Sequence, residues 1–535
     1  MLDGNKYWSK DILSSMVLCN YKGRKVYTYV NAPKNLYADL RATVDRVPDK
    51  VAIVTDGGKK YTYKDFLGCV DKTAVFLKNE KKIEPGEMVA VMLYNTVEFC
   101  ISVYAIAELG AVVVPMNTKC KPDEWKSLFE QLQIRLALFD ERLEQYRETA
   151  EANNPEIEFL KVKDDAFESY WHGENDVAKV YNETSWEDDI ILMFTSGTTA
   201  KSKGVVLTNF NVGNSIVSYE KILGITQDDK TIIPTPIYHI TGLIALLGLF
   251  IHCGGTIYLH LQYRPERVIE CCVKENITLI HASPTVFVMM LDVKDKFPSV
   301  PSIKQFACGS SNMPPETIKD LKKWMPQMSF RTIYGLTESS SPATIFPGDA
   351  ATSDKIGSSG KPIPGLVMKL IDDNGAEVKE GESGELAIYG NVILDRYYNV
   401  KNDALSDDGW FKSGDIAKFD KDGFVYIVDR KKDMINRGGE KIWSNEVENV
   451  LCELDGVAEA AVIAVPDRKY GEVAMAVIRK NGELTEKDVK EWVKKHMAKF
   501  KVPAYVQFVD ELPKTHNGKV SKRTLRERYR SFGDC

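Results

Sequence analysis

The chain has 535 residues, 44% of them apolar and 27% charged, and 70 basic against 76 acidic side chains leave a net charge of −6. This length exceeds what one hydrophobic core supports, so several packed units are expected. The slight acidic balance offers no general attraction to nucleic acid, and the composition is that of an ordinary globular chain.

Ten cysteines are scattered without CxxC pairs, most of them inside apolar runs. They read as reduced, buried thiols of an intracellular, cytoplasmic protein. Seven dispersed histidines form no cluster with metal-ligand spacing. The opening "MLDGNKYWSKDILSSMVLC" mixes charges into a short apolar piece and lacks a signal-peptide core.

From Met88, "MVAVMLYN", "TVEFCISVYAIAEL", Gly110 and "AVVVPMN" predict a buried strand, a helix ended by a glycine and a second buried strand, a βαβ unit. The alternation returns in "KPDEWKSLFEQL" before "IRLALFD" and in "PERVIECCVKEN" before "ITLIHASP". Continuous apolar strands alternating with helices indicate a covered, largely parallel sheet. The stretch "ITGLIALLGLFIHCGGTIYL", starting at Ile240, approaches the length of a membrane span, but His252, Gly254 and Gly255 interrupt it. A buried helix, a tight turn and a buried strand are the better reading.

After about Ser353 the texture changes to short alternating strands with turn signals at Asp373, Asn374 and Gly375 and at Glu382, Ser383 and Gly384, suggesting an antiparallel or barrel-like unit. A strand then passes through the charged "DRKKDMINRGGEKI" into a helix, and "EAAVIAVPDRKYGEVAMAVIRK" and "TEKDVKEWVKKHMAKF" read as a compact α+β domain. The expected fold is α/β. Residues 1–431 form a large N-terminal part of mostly parallel sheets flanked by helices, plus a small β-barrel-like unit, and residues 432–535 a small α+β domain.

The loops carry the chemistry. Thr195, Ser196, Gly197, Thr198, Thr199, Lys201, Lys203 and Gly204 leave a buried strand with backbone N–H groups, hydroxyls and cationic ends, a set suited to phosphate oxygens. The loop is not the GxxxxGK[ST] pattern, and by itself it reads equally as an ordinary connection. "YGLTESS" supplies Tyr334, Gly335, Thr337 and Glu338: an aromatic face, a hydroxyl and a carboxylate able to hold Mg²⁺. In "WFKSGDIAKF", Asp415 follows a glycine where it could accept hydrogen bonds from two adjacent hydroxyls. "PKTHNGKVSKRTL" places Lys519 after a glycine and ahead of a helix. A capped turn, a turn pair and a surface lysine are the plain alternatives for these three.

The motifs "TSGTTAKSKGV", "YGLTE", "SGD", "DRKKDMINRGGEKI" and "PKTHNGKVSKR" occur in the order and approximate spacing of the adenylate-forming superfamily, and among its members the chain resembles the acyl-CoA synthetases most. The resemblance runs from about "YTYKDF" to the last helix. It implies ATP-dependent activation of a carboxylic acid as an acyl-adenylate with release of pyrophosphate, then transfer to CoA. The substrates would be ATP, CoA and a monocarboxylic acid, fatty or aryl, because "YHITG", "CGSSNM" and "YGLTESSSPA" bring no lysine or arginine to the acid pocket. No nucleic acid or transmembrane segment is implied, and a homodimer is left open. The same likeness also admits loading of a carrier protein in trans; a nucleotide-binding scaffold without activity is the alternative outside enzymes.

Residue by residue, the resemblance implies that Thr195, Ser196, Gly197, Thr198, Thr199 and Lys203 cradle the β- and γ-phosphates and that Glu338 holds Mg²⁺. Tyr334, with Gly335 and Thr337 beside it, would stack on adenine, and Gly309, Ser310 and Ser311 would form the other wall. Asp415 with Arg430 would hold the ribose, and Lys519 would be the catalytic lysine of the first step. His239 in "PIYHITG" would stand at the acyl entrance, positioning and gating rather than transferring a proton. The C-terminal domain would be mobile, turning about Lys432 to bring Gly438 and Gly439 to a pantetheine passage. The sequence departs from the common pattern in three places: Ala200 and Ser202 replace a glycine and a proline, and Trp443 with Ser444 replaces a frequent Tyr-Pro pair.

Overall fold

The computed structural model describes residues 1–163, 182–195, 203–400, 403–515 and 519–530. The predicted βαβ unit is present: strands Met88–Met92 and Val112–Pro115 run parallel, joined by the helix Val97–Glu108. Thr96 caps that helix by accepting from the Phe99 N–H, and Gly110 beyond it has φ +66°. Its twelve residues are all buried, because the helix packs on those two strands and against the helices Leu36–Arg46 and Tyr63–Asn79 and has no solvent face.

One sheet has seven strands in the order Arg396–Tyr397, Gly204–Thr208, Asp189–Phe194, Val112–Pro115, Met88–Met92, Ile134–Asp140 and Glu158–Val162. Along Met88–Met92 the side chains alternate between cores: Val89 and Val91 join the central core, Ala90 and Met92 the outer one. Burial on both faces explains why this strand reads as an unbroken apolar run. The second sheet has nine strands; Ile232, Tyr258 and Ile280 face one core, and Ile233, Ile257 and Leu279 face the other. Both sheets are parallel at their centres, as expected, and antiparallel at edges where hairpins close them, as at Val51–Val54 with Lys60–Thr62.

The stretch from Ile240 folds as a buried π-helical segment Thr241–Gly248, a helix Leu249–Cys253, a left-handed turn at Gly254 and a buried strand Thr256–Leu259. Among the described residues no helix is long and apolar enough to cross a membrane. The barrel-like unit is a five-stranded antiparallel sheet: Leu2–Asp3, Leu366–Ile371, Gly384–Gly390, Phe411–Phe419 and Val425–Arg430. The turn at Gly375 (φ +83°) falls where expected; the next uses Gly381 (φ +87°), and Gly384 begins a strand.

The C-terminal part is built on the antiparallel pair Val457–Asp467 and Gly471–Lys480, with Tyr505–Val509 parallel to the second. Ala461, Ile463 and Val465 point to one small core and Val462 to the other, while helices Ser444–Cys452, Glu486–His496 and Lys522–Arg528 cover the sheet. These two cores contain no described residue before Ile435, and the three larger cores none after Ile427. The stretch quoted above as a charged connection contains a hairpin, Ile435–Arg437 with Glu440–Ile442, whose Ile435 and Ile442 belong to the C-terminal core.

Candidate active site

A cavity of about 570 Å³ lies where the two large sheets, the antiparallel sheet and the C-terminal part meet. One side of it begins with the antiparallel pair Asp189–Phe194 and Gly204–Thr208. The loop between them is closed at its base by the Thr195 N–H donating to the Lys203 carbonyl at 3.0 Å. Thr195 and Lys203 line the cavity; Ser196, Gly197, Thr198 and Thr199, like Ala200 and Ser202, lie outside the described residues.

Opposite, the strand Ser329–Tyr334 ends in a turn that presents Gly335, Thr337 and Glu338 to the cavity. A Cβ on Gly335 would sit 1.4 Å from the Ser341 carbonyl oxygen, so only glycine fits there. Glu338 accepts from the Tyr397 hydroxyl at 3.1 Å, and burial pushes its carboxyl pKa up. The Lys203 ammonium stands 5.6 Å from the centroid of the same Tyr397 ring. Tyr397 was not foreseen: it reaches the site because Arg396–Tyr397 pairs with Gly204–Thr208, almost two hundred positions away in sequence, and no local motif marks it.

Asp415 and Arg430 are register partners on adjacent strands, with Arg430 Nε 3.1 Å from Asp415 Oδ1. The Asp415 carboxylate raises the guanidinium pKa further. Tyr334 donates to Asp415 Oδ2 at 2.6 Å, and burial together with that carboxylate keeps the phenol protonated. Arg430 and Lys432 are on the cavity wall, whereas Tyr334 and the 2%-exposed Asp415 stand directly behind it. Gly309 and Ser310 contribute to the wall; Ser311 is exposed outside it. Ser310, with φ +74°, and Ser341, with φ +97°, are non-glycine wall residues in left-handed geometry.

Lys519 enters from the last hundred residues. The Thr515 N–H donates to its carbonyl at 2.6 Å. Burial and the neighbouring Arg430 lower its ammonium pKa to about 8, against partial compensation from Asp415. His239 lines the same space, and its Nε2 is enclosed without a hydrogen-bond partner among the described residues. Burial, reinforced by Lys519, lowers its pKa to about 3, so the ring is neutral at working pH. Gly438 and Gly439 lie apart from the cavity, in the exposed hairpin turn, at φ +59° and +93°.

Behind Lys519 a second charged group joins the C-terminal part to the body. Asp429 Oδ2 accepts from both the N–H and the hydroxyl of Ser444, the latter at 2.7 Å. Lys522 donates to the same hydroxyl at 2.6 Å and pairs with Glu448 at 2.8 Å, and Arg526 pairs with Asp433. Burial raises the carboxyl pKa values of Asp429 and Glu448. At Lys522 burial acts downward, but Glu448 and Asp429 outweigh it and the pKa rises.

Among the described residues no group of three or more His, Cys, Asp or Glu side chains could hold a metal alone. Glu338 nevertheless fits Mg²⁺, which takes one or two carboxylates and completes its shell with substrate phosphates.

The chain matches the family model of the AMP-binding enzyme over residues 40–398 and that of the AMP-binding enzyme C-terminal domain over residues 446–519. It is 32% identical over 492 residues to a 2-succinylbenzoate–CoA ligase of Bacillus licheniformis, covering 91% of this chain and 98% of that protein. It is 30% identical to the long-chain-fatty-acid–CoA ligase FadD13 of Mycobacterium tuberculosis, over 84% of this chain and 89% of that one. The crystal structure of ATP-bound MatB from Rhodopseudomonas palustris superposes with a TM-score of 0.85 at 26% identity, covering 93% of this chain and 99% of that chain.

Proposed function

The chain belongs to the AMP-binding enzyme family as an AMP-forming acyl-CoA synthetase, and we propose that the acid it activates is a monocarboxylic acid with an uncharged aliphatic or aryl tail. A carboxylate is a poor acyl donor: its charge repels a nucleophile and oxide does not leave. Its attack on the α-phosphate of ATP forms an acyl-adenylate and expels pyrophosphate, after which the CoA thiol attacks the carbonyl and AMP leaves. The first step brings an anion to a polyanion, so fixed positive charge must offset the repulsion.

The observation that carries this reading is the convergence of the partly buried Lys519 with Lys203, Arg430 and Glu338 on one cavity. A desolvated ammonium is unfavourable until anions arrive, so its position is explained by the carboxylate and bridging oxygen it would contact. Lys203 and the loop hydroxyls from Thr195 would hold the β- and γ-phosphates. Asp415, steadied by Arg430, would take the ribose hydroxyls, and Tyr334 and the Gly309 and Ser310 wall would enclose adenine. Mg²⁺ held by Glu338 would neutralise phosphate charge. His239, being neutral, would orient the acid and transfer no proton.

For the second step, residues 432–535 are proposed to turn about Lys432 as a separate domain. The contacts of Asp429 with Ser444 straddle that residue and would part, withdrawing Lys519 and bringing Gly438 and Gly439 to a pantetheine passage.

The test is AMP and acyl-CoA formation from ATP, Mg²⁺ and CoA across aliphatic, aryl and hydroxy acids, with Lys519→Ala as control. Both products from the wild type, with the first step lost in the variant, are expected. Turnover of dicarboxylates alone would overturn the substrate class, and an acyl-adenylate that accumulates without a CoA ester would move the reading to carrier loading.

A further inference from the structure

We propose that His281 determines acid specificity by hydrogen bonding a neutral polar group, a hydroxyl or a carbonyl, on the tail of the acid. The inference rests on the ligase reading above and narrows its substrate class.

His281 lies on the strand Leu279–Ala282, which starts from the central core and ends at the cavity. The residue is 2% exposed and lines the cavity, yet its ring makes no hydrogen bond to any described residue, and its Nδ1 is fully enclosed. A Cβ built on Gly309 would stand 3.8 Å from the His281 Nε2, so the bare glycine leaves space on that side of the ring. The neighbouring polar groups do not satisfy the imidazole. Tyr219 meets it edge to face at 5.8 Å between centroids, and the Tyr219 hydroxyl is engaged with Ser341 Oγ at 2.9 Å.

The two cavity histidines differ in what surrounds them. His239 feels Lys519 and Lys119, so it marks the cationic end where a carboxylate would react. His281 feels burial alone, which lowers its pKa to about 3. Among the described residues no charge acts on it and its ring is neutral, with one nitrogen a donor and the other an acceptor. A buried donor and acceptor left without partners lose the hydrogen bonds that water would make. An alkyl or plain aryl tail leaves both stranded, whereas a hydroxyl or carbonyl engages one. A second carboxylate would arrive there without a countercharge.

The test compares matched acids on the full chain: 4-hydroxycinnamate with cinnamate, 8-hydroxyoctanoate with octanoate, and suberate as the dicarboxylate. Pyrophosphate release gives kcat/KM for each, in wild type, His281→Phe, His281→Leu and His281→Asn, with the KM for ATP as control. In wild type the hydroxylated acid is favoured in at least one pair by about tenfold or more. The ratio falls to about one in the Phe and Leu variants and recovers in part in Asn, which keeps a donor and an acceptor. A wild-type ratio of one or less in both pairs, a ratio unchanged in the Phe and Leu variants, or preference for suberate would overturn the proposal. If no acid releases pyrophosphate, the ligase reading fails separately. Calorimetry of the same pairs with the AMP-loaded protein then decides on His281: a preference for the hydroxylated acid that Phe and Leu lose upholds it, and equal or absent binding rejects it.

Discussion

Lys519 and Lys522 are three residues apart and both are partly buried, yet their surroundings drive them in opposite directions. At the cavity wall the cations Arg430 and Lys432 offset the carboxylates Asp415 and Glu338, and burial prevails, so the Lys519 ammonium is destabilised. At the seam Lys522 sits between Asp429 and Glu448, and their charges overcome the same burial. The comparison separates the cation proposed to meet a ligand from the cation that pairs within the fold. Desolvation alone tells neither from the other; the sign of the partners does.

The largest effect is expected at the seam. Lys522→Ala leaves Asp429 and Glu448 buried without their cation and should lower stability by about 3–5 kcal/mol in denaturant titration. Lys519→Ala should do the reverse of this pattern, keeping or raising the melting temperature while slowing pyrophosphate release by about 10²–10³-fold. Equal destabilisation by both substitutions would erase the distinction.

Titration sharpens the contrast. For Lys519, whose folded value of about 8 lies below the ordinary 10.5, the unfolded chain binds more protons in between. Stability therefore rises with pH across that window, and the rise should be absent in Lys519→Ala when midpoints are compared at pH 8 and 10.5. Lys522 has the opposite sign: its contribution is complete below the unfolded value and is lost as pH climbs through the higher folded value. In activity, kcat/KM for ATP should decline above about pH 8 as Lys519 loses its proton in the free enzyme. The smallest effect is expected of Tyr397→Phe, which removes the hydroxyl hydrogen bond to Glu338. It should raise the KM for Mg²⁺·ATP by no more than about tenfold, the worth of one such bond.

Local pattern made much of the fold legible. The apolar run from Met88, the capped helix from Val97 and the glycine after it were readable because each is set by neighbours within a few residues. The antiparallel edges of the large sheets were not, since pairing such as Tyr397 with Val205 depends on which distant strand lies alongside. The same division holds at the cavity. Glu338, Asp415 and Lys519 sit in recognisable sequence motifs, whereas Tyr397, Tyr219 and His281 occupy ordinary-looking strand or helix positions and are singled out only by the space they border.

By itself the sequence determined the elements, the family resemblance and the kinds of side chain available, because periodicity, capping and motif spacing are local properties of the chain. Only the tertiary structure decided that Lys519 reaches a cavity shared with Lys203 and Arg430, that Lys522 turns to the seam, and that His281 is enclosed without a partner. Burial and the sign of a neighbouring charge are long-range quantities, set by which segments the fold brings together.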